Sequence, residues 1–245
     1  KKGLAGLAYA TIGAEGVKSS ISKFVSENKF KELIDAIGAK TGDAVLLAAG
    51  PWLKLSWAMG ALRLDVARRL NLIDNTQAAW CWIVDYPMYE AVEEGTLAAK
   101  QGKTVDFGHN PFSMPQGGLK ALTNKDPLDI LAYQYDLVLN GFEISSGAVR
   151  NQNPELMYKA FAIAGYSKED VDKKFGAMIQ AFNYGAPPHA GNAPGLDRLI
   201  MVLNDWDSIR DMYAFPKDGQ GRDVLMDSPS EVSPEQLKEI GVKMN

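Results

Sequence analysis

Apolar side chains recur at helical spacing over residues 21–37, where Ile21, Phe24, Val25, Phe30, Leu33, Ile34 and Ile37 share one face and Gly38 follows as a C-terminal cap. Two short apolar runs flank this stretch and predict strands: Leu4–Ala10, and Ala44–Ala48, the latter introduced by Gly42 and Asp43 and expected to be buried. Pro51 to about Leu70 predicts a second helix. Strand, helix, strand and helix in succession imply a small α/β module over residues 1–78.

From residue 79 the pattern changes. Trp82–Pro87 predicts a strand closed by Pro87, and residues 91–118 are rich in Gly and Pro and predict loops. Asn153-Pro154 starts a helix with a capping Asn and Pro at the first helical position, and Gly165 ends it. Ser167 caps a further helix over about 168–182, and Ser233-Pro234-Glu235-Gln236 is a capping box.

Composition narrows the class. The 245 residues are 46% hydrophobic and 23% charged, ordinary for a folded water-borne domain or two. No apolar stretch is long enough to span a membrane. The chain opens Lys1-Lys2-Gly3-Leu4, without Met and without the apolar run of a signal peptide. Cys81 is the single cysteine, so no internal disulfide forms, and with only His109 and His189 no Cys/His metal cluster is possible. A reducing cytoplasm is the simplest expectation. The formal net charge is −4, which lacks the basic footprint of a nucleic-acid binder. If RNA is bound, the bulk charge implies that this chain is not its main electrostatic platform.

Three stretches carry candidate chemistry. Tyr135–Leu139 and Phe142–Ile144 flank Asn140-Gly141, a strong signal for a two-residue hairpin loop. In that register Leu139 opposes Phe142 and Val138 opposes Glu143, so Asp136 and Glu143 become diagonal neighbours on one sheet face. Two such carboxylates suit a Mg²⁺ that also touches phosphates; a solvated face with two unrelated acids is the simpler reading of the hairpin alone. Strict alternation then puts Arg150 on the opposite face, and a bulge near Gly147 would return it to the face of Glu143, where its guanidinium could hold a carboxylate by two hydrogen bonds; alone, it also fits a surface arginine. Finally, Gly185–Arg198 is rich in small residues that permit close approach to backbone, and it leads into a helix whose first amides suit an anion. Arg198 in that first turn opposes the helix dipole, as a functional residue often does; a close-packed strand-to-helix turn fits as well.

Taken in order, these segments resemble a known family. Gly191-x-x-x-Gly195-Leu196-Asp197-Arg198-Leu199-Ile200-Met201 resembles motif 3 of class II aminoacyl-tRNA synthetases. Tyr135–Ile144 with Gly147-Ala148-Val149-Arg150 resembles the strand pair that precedes it in the bacterial-type aspartyl enzymes. Trp82–Glu90, His109–Pro115, Tyr184–His189, Ile209-Arg210-Asp211 and Ala214–Lys217 match further segments in sequence order. Residues 1–78 resemble the GAD-type domain that these enzymes carry before motif 3, most clearly at Gly60-Ala61-Leu62-Arg63-Leu64, although Ala48-Ala49-Gly50 stands where Gly-Ala-Asp is usual.

The resemblance implies an α+β fold: a small α/β insertion domain (1–78), then the C-terminal half of an antiparallel-sheet catalytic domain (79–245). It implies L-aspartate, ATP and Mg²⁺ as ligands, tRNA as partner (Asp acceptors alone, or Asp and Asn acceptors) and a homodimeric parent enzyme. His109 and Arg150 would contact aspartate, Arg150 on its side-chain carboxylate. Glu143, with Asp136, would hold Mg²⁺. Gly195, Leu196, Asp197 and Arg198 would form the ATP platform, with Arg150 and Arg198 as catalytic arginines. Asn110 replaces a second His, Ala190 a common Gly, and Asn192 and Pro194 larger apolar residues. Motifs 1 and 2 and the anticodon-binding barrel have no counterpart in these residues, so the resemblance implies that the chain alone does not aminoacylate tRNA. A stand-alone paralogue that binds tRNA or a partner, or a free-standing amino-acid ligase or sensor, are the alternative readings.

Overall fold

The computed structural model describes residues 6–243. The chain divides into two compact units, Lys1–Thr76 and Gln77–Asn245.

In the first unit, β1 (Ala8–Gly13) and β2 (Gly16–Ser19) form a hairpin, followed by α1 (Glu27–Ile37), β3 (Ala44–Leu47) and α2 (Trp52–Arg69). The sheet order is β2-β1-β3 and both pairings are antiparallel. The expected small module of strands and helices is present, its three-stranded sheet antiparallel throughout with β1 at the centre. β2 was not anticipated, and the first strand lies later than expected; Leu4 and Ala5 fall outside the described residues. α1 also begins later than its apolar pattern suggests, because Ser26 caps it by accepting from the Lys29 amide at 3.4 Å. Residues 21–25 turn instead, which leaves Phe24 exposed. Gly38 ends α1 at φ 66°, a left-handed conformation that favours glycine. β3 is an edge strand and only partly buried, not the buried strand expected. Ala10 and Phe30 are the most buried apolar residues here, with Ala58 of α2 on the margin.

The second unit holds a four-stranded antiparallel sheet in the order β4 (Trp80–Pro87), β7 (Leu131–Leu139), β8 (Phe142–Val149), β9 (Ala190–Pro194). A two-stranded ribbon of β5 (Tyr89–Ala91) and β6 (Val105–Phe107), with the short α3 (Leu97–Lys100) between, occupies the stretch expected to be loop, and α4 (Gly118–Asn124) follows. α5 (Pro154–Ile163), α6 (Lys168–Asn183), α7 (Leu196–Leu203) and α8 (Pro234–Glu239) complete the unit. The caps at Asn153, Ser167 and Ser233 all form; the last two are reciprocal capping boxes.

The core gathers Met88, Tyr89, Ile130 and Ala132 against Leu156 and Ala160 of α5. Beside it, Met157, Phe161, Val171 and Ile179 join α5 to α6 through Phe112 and Phe175. Tyr89 is 1% exposed and donates its hydroxyl to the Ala160 carbonyl at 3.0 Å. β4 lies at one rim of the sheet, and its residues Trp80, Trp82, Ile83 and Val84 are all exposed, so neither of its faces is covered.

Candidate active site

The site grows from the β7–β8 hairpin. Asn140 (φ 50°) and Gly141 (φ 86°) supply the two positive φ angles of the expected tight turn, and the Asn140 side chain accepts from the Ala79 amide at 2.8 Å. Leu139 pairs with Phe142 and Val138 with Glu143, as expected. The next pair is Leu137 with Ser145, which leaves Ile144 as an extra residue on β8. This bulge lies earlier than the expected one near Gly147, but it has the same effect. Asp136 now opposes Ser146, so Ser146, Ala148 and Arg150 share the face that also carries Glu143. Ile144 and Ser145 both turn into the interior, at 4% and 3% exposure.

Beyond Val149 the two strands part, and residues 113–116 wedge between them. The Met114 amide donates to the Val149 carbonyl (2.8 Å), the Tyr133 amide to the Met114 carbonyl (2.9 Å) and the Asn151 amide to the Phe112 carbonyl (2.8 Å). The Arg150 amide donates to the His189 carbonyl at 2.9 Å. The wedge delivers His109 and Asn110 to the same face, where the Gln134 side-chain amide donates to the Asn110 carbonyl at 3.2 Å.

The result is an open cavity of about 890 Å³ whose walls include His109, Asp136, Glu143 and Arg150 together with Tyr86, Gln134 and His189. Four of the sequence-derived site residues are thus brought together. Arg198 joins from α7: its Nη1 lies 3.0 Å from Glu143 Oε1 and donates to the Glu143 carbonyl at 2.9 Å. Gly195, Leu196 and Asp197 do not line the cavity. The Gly195 amide donates to the Ile144 carbonyl at 2.7 Å, Leu196 is exposed, and the Asp197 carboxylate accepts from the Tyr213 hydroxyl.

Tyr86 was not singled out from the sequence. Asp85 takes φ 60° and the β4–β7 register slips there, which aligns Tyr86 with Ala132 on the face of Gln134 and Asp136. The Tyr86 hydroxyl donates to Asp136 Oδ2, and its ring meets the His109 imidazole edge-on at 4.9 Å between centroids. Burial, then the hydrogen bond to Asp136 and the negative charges of Asp136 and Glu143, push the Tyr86 phenol far above its ordinary value, so it remains a donor at neutral pH. Gln134 could have been read from the period of two that places it beside Asp136; Tyr86 depended on the register slip, which no local signal announces. His189 is held by its Nδ1, 2.9 Å from the Pro187 carbonyl.

The surroundings of the two carboxylates suit a hard cation. Each has one oxygen engaged, Asp136 Oδ2 by Tyr86 and Glu143 Oε1 by Arg198, which leaves Asp136 Oδ1 and Glu143 Oε2 as oxygen donors on one wall. Among the described residues no group of three or more His, Cys, Asp or Glu side chains could hold a metal by itself. Two carboxylates with substrate oxygens and water completing the shell are the usual Mg²⁺ arrangement.

The site is thus an antiparallel sheet with a charged cavity at its bulged hairpin and an arginine returning to Glu143 from the helix after the last strand. The sequence profile of the tRNA synthetases class II (D, K and N) matches residues 12–219, and the chain belongs to that family. It is 51% identical over 243 residues to the Aspartate--tRNA(Asp/Asn) ligase of Chlorobium phaeovibrioides, and 52% identical over 242 residues to that of Pelodictyon phaeoclathratiforme, in each case over 99% of this chain and 39% of the relative. The chain therefore spans about two fifths of the length of these curated relatives. Among solved structures, the aspartyl tRNA synthetase of Entamoeba histolytica aligns over 79% of this chain and 31% of its own, with 22% identity and a TM-score of 0.42. Among the described residues no helix is long and apolar enough to cross a membrane.

Proposed function

We propose that this chain supplies the aspartate- and ATP-binding wall of an aspartate–tRNA ligase. The observation that carries the reading is the bulge at Ile144, which gathers Asp136, Glu143 and Arg150 on one face of the sheet and leaves Glu143 within reach of Arg198. In this reading the Arg150 guanidinium holds the side-chain carboxylate of L-aspartate in a bidentate pair, and His109, steadied by the Tyr86 ring, completes the amino-acid pocket. Asp136 and Glu143 hold Mg²⁺, which when bound neutralises charge on the triphosphate. Arg198 faces the nucleotide, and Gly195, whose amide donates to the Ile144 carbonyl, fixes the start of α7 against β8 so that Arg198 stays in place.

The reaction is attack of the aspartate α-carboxylate on the α-phosphorus of ATP, expelling pyrophosphate, followed by transfer of the aspartyl group to the tRNA 3′ end. For both steps these residues orient reactants and stabilise charge; none of them is required as a nucleophile. The relatives are named for tRNA(Asp/Asn), and we extend that pair of acceptors to this chain. Residues 1–78 act as the inserted GAD-type domain. Motif 2, whose arginine holds the α-phosphate, has no counterpart here. Loss of one such group costs roughly 10²–10³ in rate, so the 245 residues alone bind ligands without turning them over.

Calorimetric titration with L-aspartate, alone and with MgATP, tests this reading. Binding of aspartate that is lost in Arg150→Ala and retained in an exposed control such as Lys54→Ala supports it. Aspartate binding that ignores Arg150 overturns the assigned role. Aspartate-dependent ATP–pyrophosphate exchange by the chain alone would overturn the claim that it does not turn over.

A further inference from the structure

The first unit carries a helix with two apolar sides. Leu55, Ala58, Met59, Leu62 and Val66 form the inner side of α2, all buried or half-buried. Leu53, Trp57, Gly60 and Leu64 recur at i, i+4, i+7 and i+11 on the opposite side. Trp57 is 76% exposed, and Trp52 at the start of the helix is 81% exposed. A Cβ at Gly60 would meet nothing within 4 Å, so the middle of this side is open. Tryptophan is seldom left so bare on a surface with no use for it.

The charges around this stripe have one sign. Lys54 and Arg68 flank it on one edge and Arg63 on the other, and none of the three has an ion-pair partner among the described residues. The only acid on the helix, Asp65, is tied to Arg69 at 2.9 Å. The unit as a whole follows suit: Lys1–Thr76 holds eleven Lys and Arg against seven Asp and Glu, a formal +4, whereas Gln77–Asn245 holds 15 against 23, a formal −8. The net charge of −4 averages these opposites. A basic unit followed along the chain by an acidic one is a charge asymmetry that suits a nucleic-acid contact by the first.

We propose that the outer side of α2 is an RNA-docking surface that takes a segment with unpaired bases. Trp57 offers a stacking face, and Lys54, Arg63 and Arg68 meet the flanking phosphates. A protein partner would need an anionic rim around an apolar centre to match the same surface; an RNA strand presents phosphates and base faces together. The inference rests on the synthetase reading only for the source of the RNA.

The test is fluorescence anisotropy of a labelled 20-nucleotide single-stranded RNA of mixed sequence, titrated with the whole chain between 50 and 200 mM KCl. Binding is expected to weaken with salt, with a log–log slope of about −2 for three phosphate contacts. Trp57→Ala is expected to lower affinity about ten-fold. Arg63→Ala and Arg68→Ala should each flatten the slope by about 0.7. Circular dichroism checks that these exposed substitutions leave the fold intact. The proposal is overturned if no RNA binds, or if the variants bind as the parent does. It is equally overturned if sedimentation shows that Trp57 instead mediates self-association that RNA does not compete. RNA binding that depends on Trp57, in a chain whose second unit ignores aspartate and MgATP, would leave the docking surface standing and overturn the synthetase reading. The reverse pattern would do the opposite.

Discussion

Arg198 reaches from the first turn of α7 to Glu143 on β8 and grips it twice, at the carboxylate (3.0 Å) and at the backbone carbonyl (2.9 Å). The two side chains are about half exposed, 48% and 46%, and exposed pairs contribute roughly 0–1 kcal/mol. Arg198→Ala should therefore move the melting temperature by no more than about 4 °C, while MgATP affinity falls by ten-fold or more in calorimetry. A melting temperature that collapses would make the pair structural and weaken its assignment to the nucleotide.

Arg150→Lys keeps the charge but replaces a planar fork with a point charge. Aspartate affinity should fall nearly as far in Arg150→Lys as in Arg150→Ala, because the bidentate geometry is what is lost. Full retention in the lysine variant would show that charge alone suffices.

Gly147 faces the Tyr135 ring and the carbonyl of Gly191, and a Cβ there would overlap both. Gly147→Ala should cost about 1–3 kcal/mol through forced displacement of β9, read as a lower midpoint in urea. Tyr135→Ala should not rescue it, since the Gly191 carbonyl remains in place. Rescue would show that the ring, not the backbone, sets the limit.

Burial pushes the Tyr89 phenol far above its ordinary value, and the same holds for Tyr86, where Asp136 adds to it. A group whose folded value is raised contributes stability that is whole below the unfolded value, about 10, and is lost as pH rises toward the folded one. Stability should therefore be flat to about pH 10 and fall above it. Tyr89→Phe should lower the plateau by about 1 kcal/mol, for the lost bond to the Ala160 carbonyl, and make the alkaline fall shallower. Denaturant midpoints from pH 8 to 11.5 check both; an alkaline slope unchanged in Tyr89→Phe would remove this residue from the account.

Local chemistry made some of this legible from the sequence. Asn140-Gly141 fixed the hairpin because positive φ at both positions has few solutions, and the caps at Asn153, Ser167 and Ser233 announced three helices because their hydrogen bonds close within a turn. What escaped depends on contacts between distant segments. β2 is short and polar and is defined by its pairing with β1. The register slip at Asp85 that turns Tyr86 toward Asp136, and the wedge at 113–116, exist only against β7 and β8. The bulge at Ile144 was foreseen in effect but not in position, since either site returns Arg150 to the same face. The charge split between the units was hidden by averaging over the whole chain.

The bare rim of the sheet has a practical side. β4 offers an unpaired row of amides and carbonyls beneath Trp80, Trp82, Ile83 and Val84, and such a rim is a template on which another strand can zip. The shelf life of the purified chain should shorten as its concentration rises, with turbidity and thioflavin fluorescence appearing together. One lysine in place of Ile83, pointing charge into any strand-on-strand contact, should lengthen it. Storage behaviour thus becomes a readout of one strand.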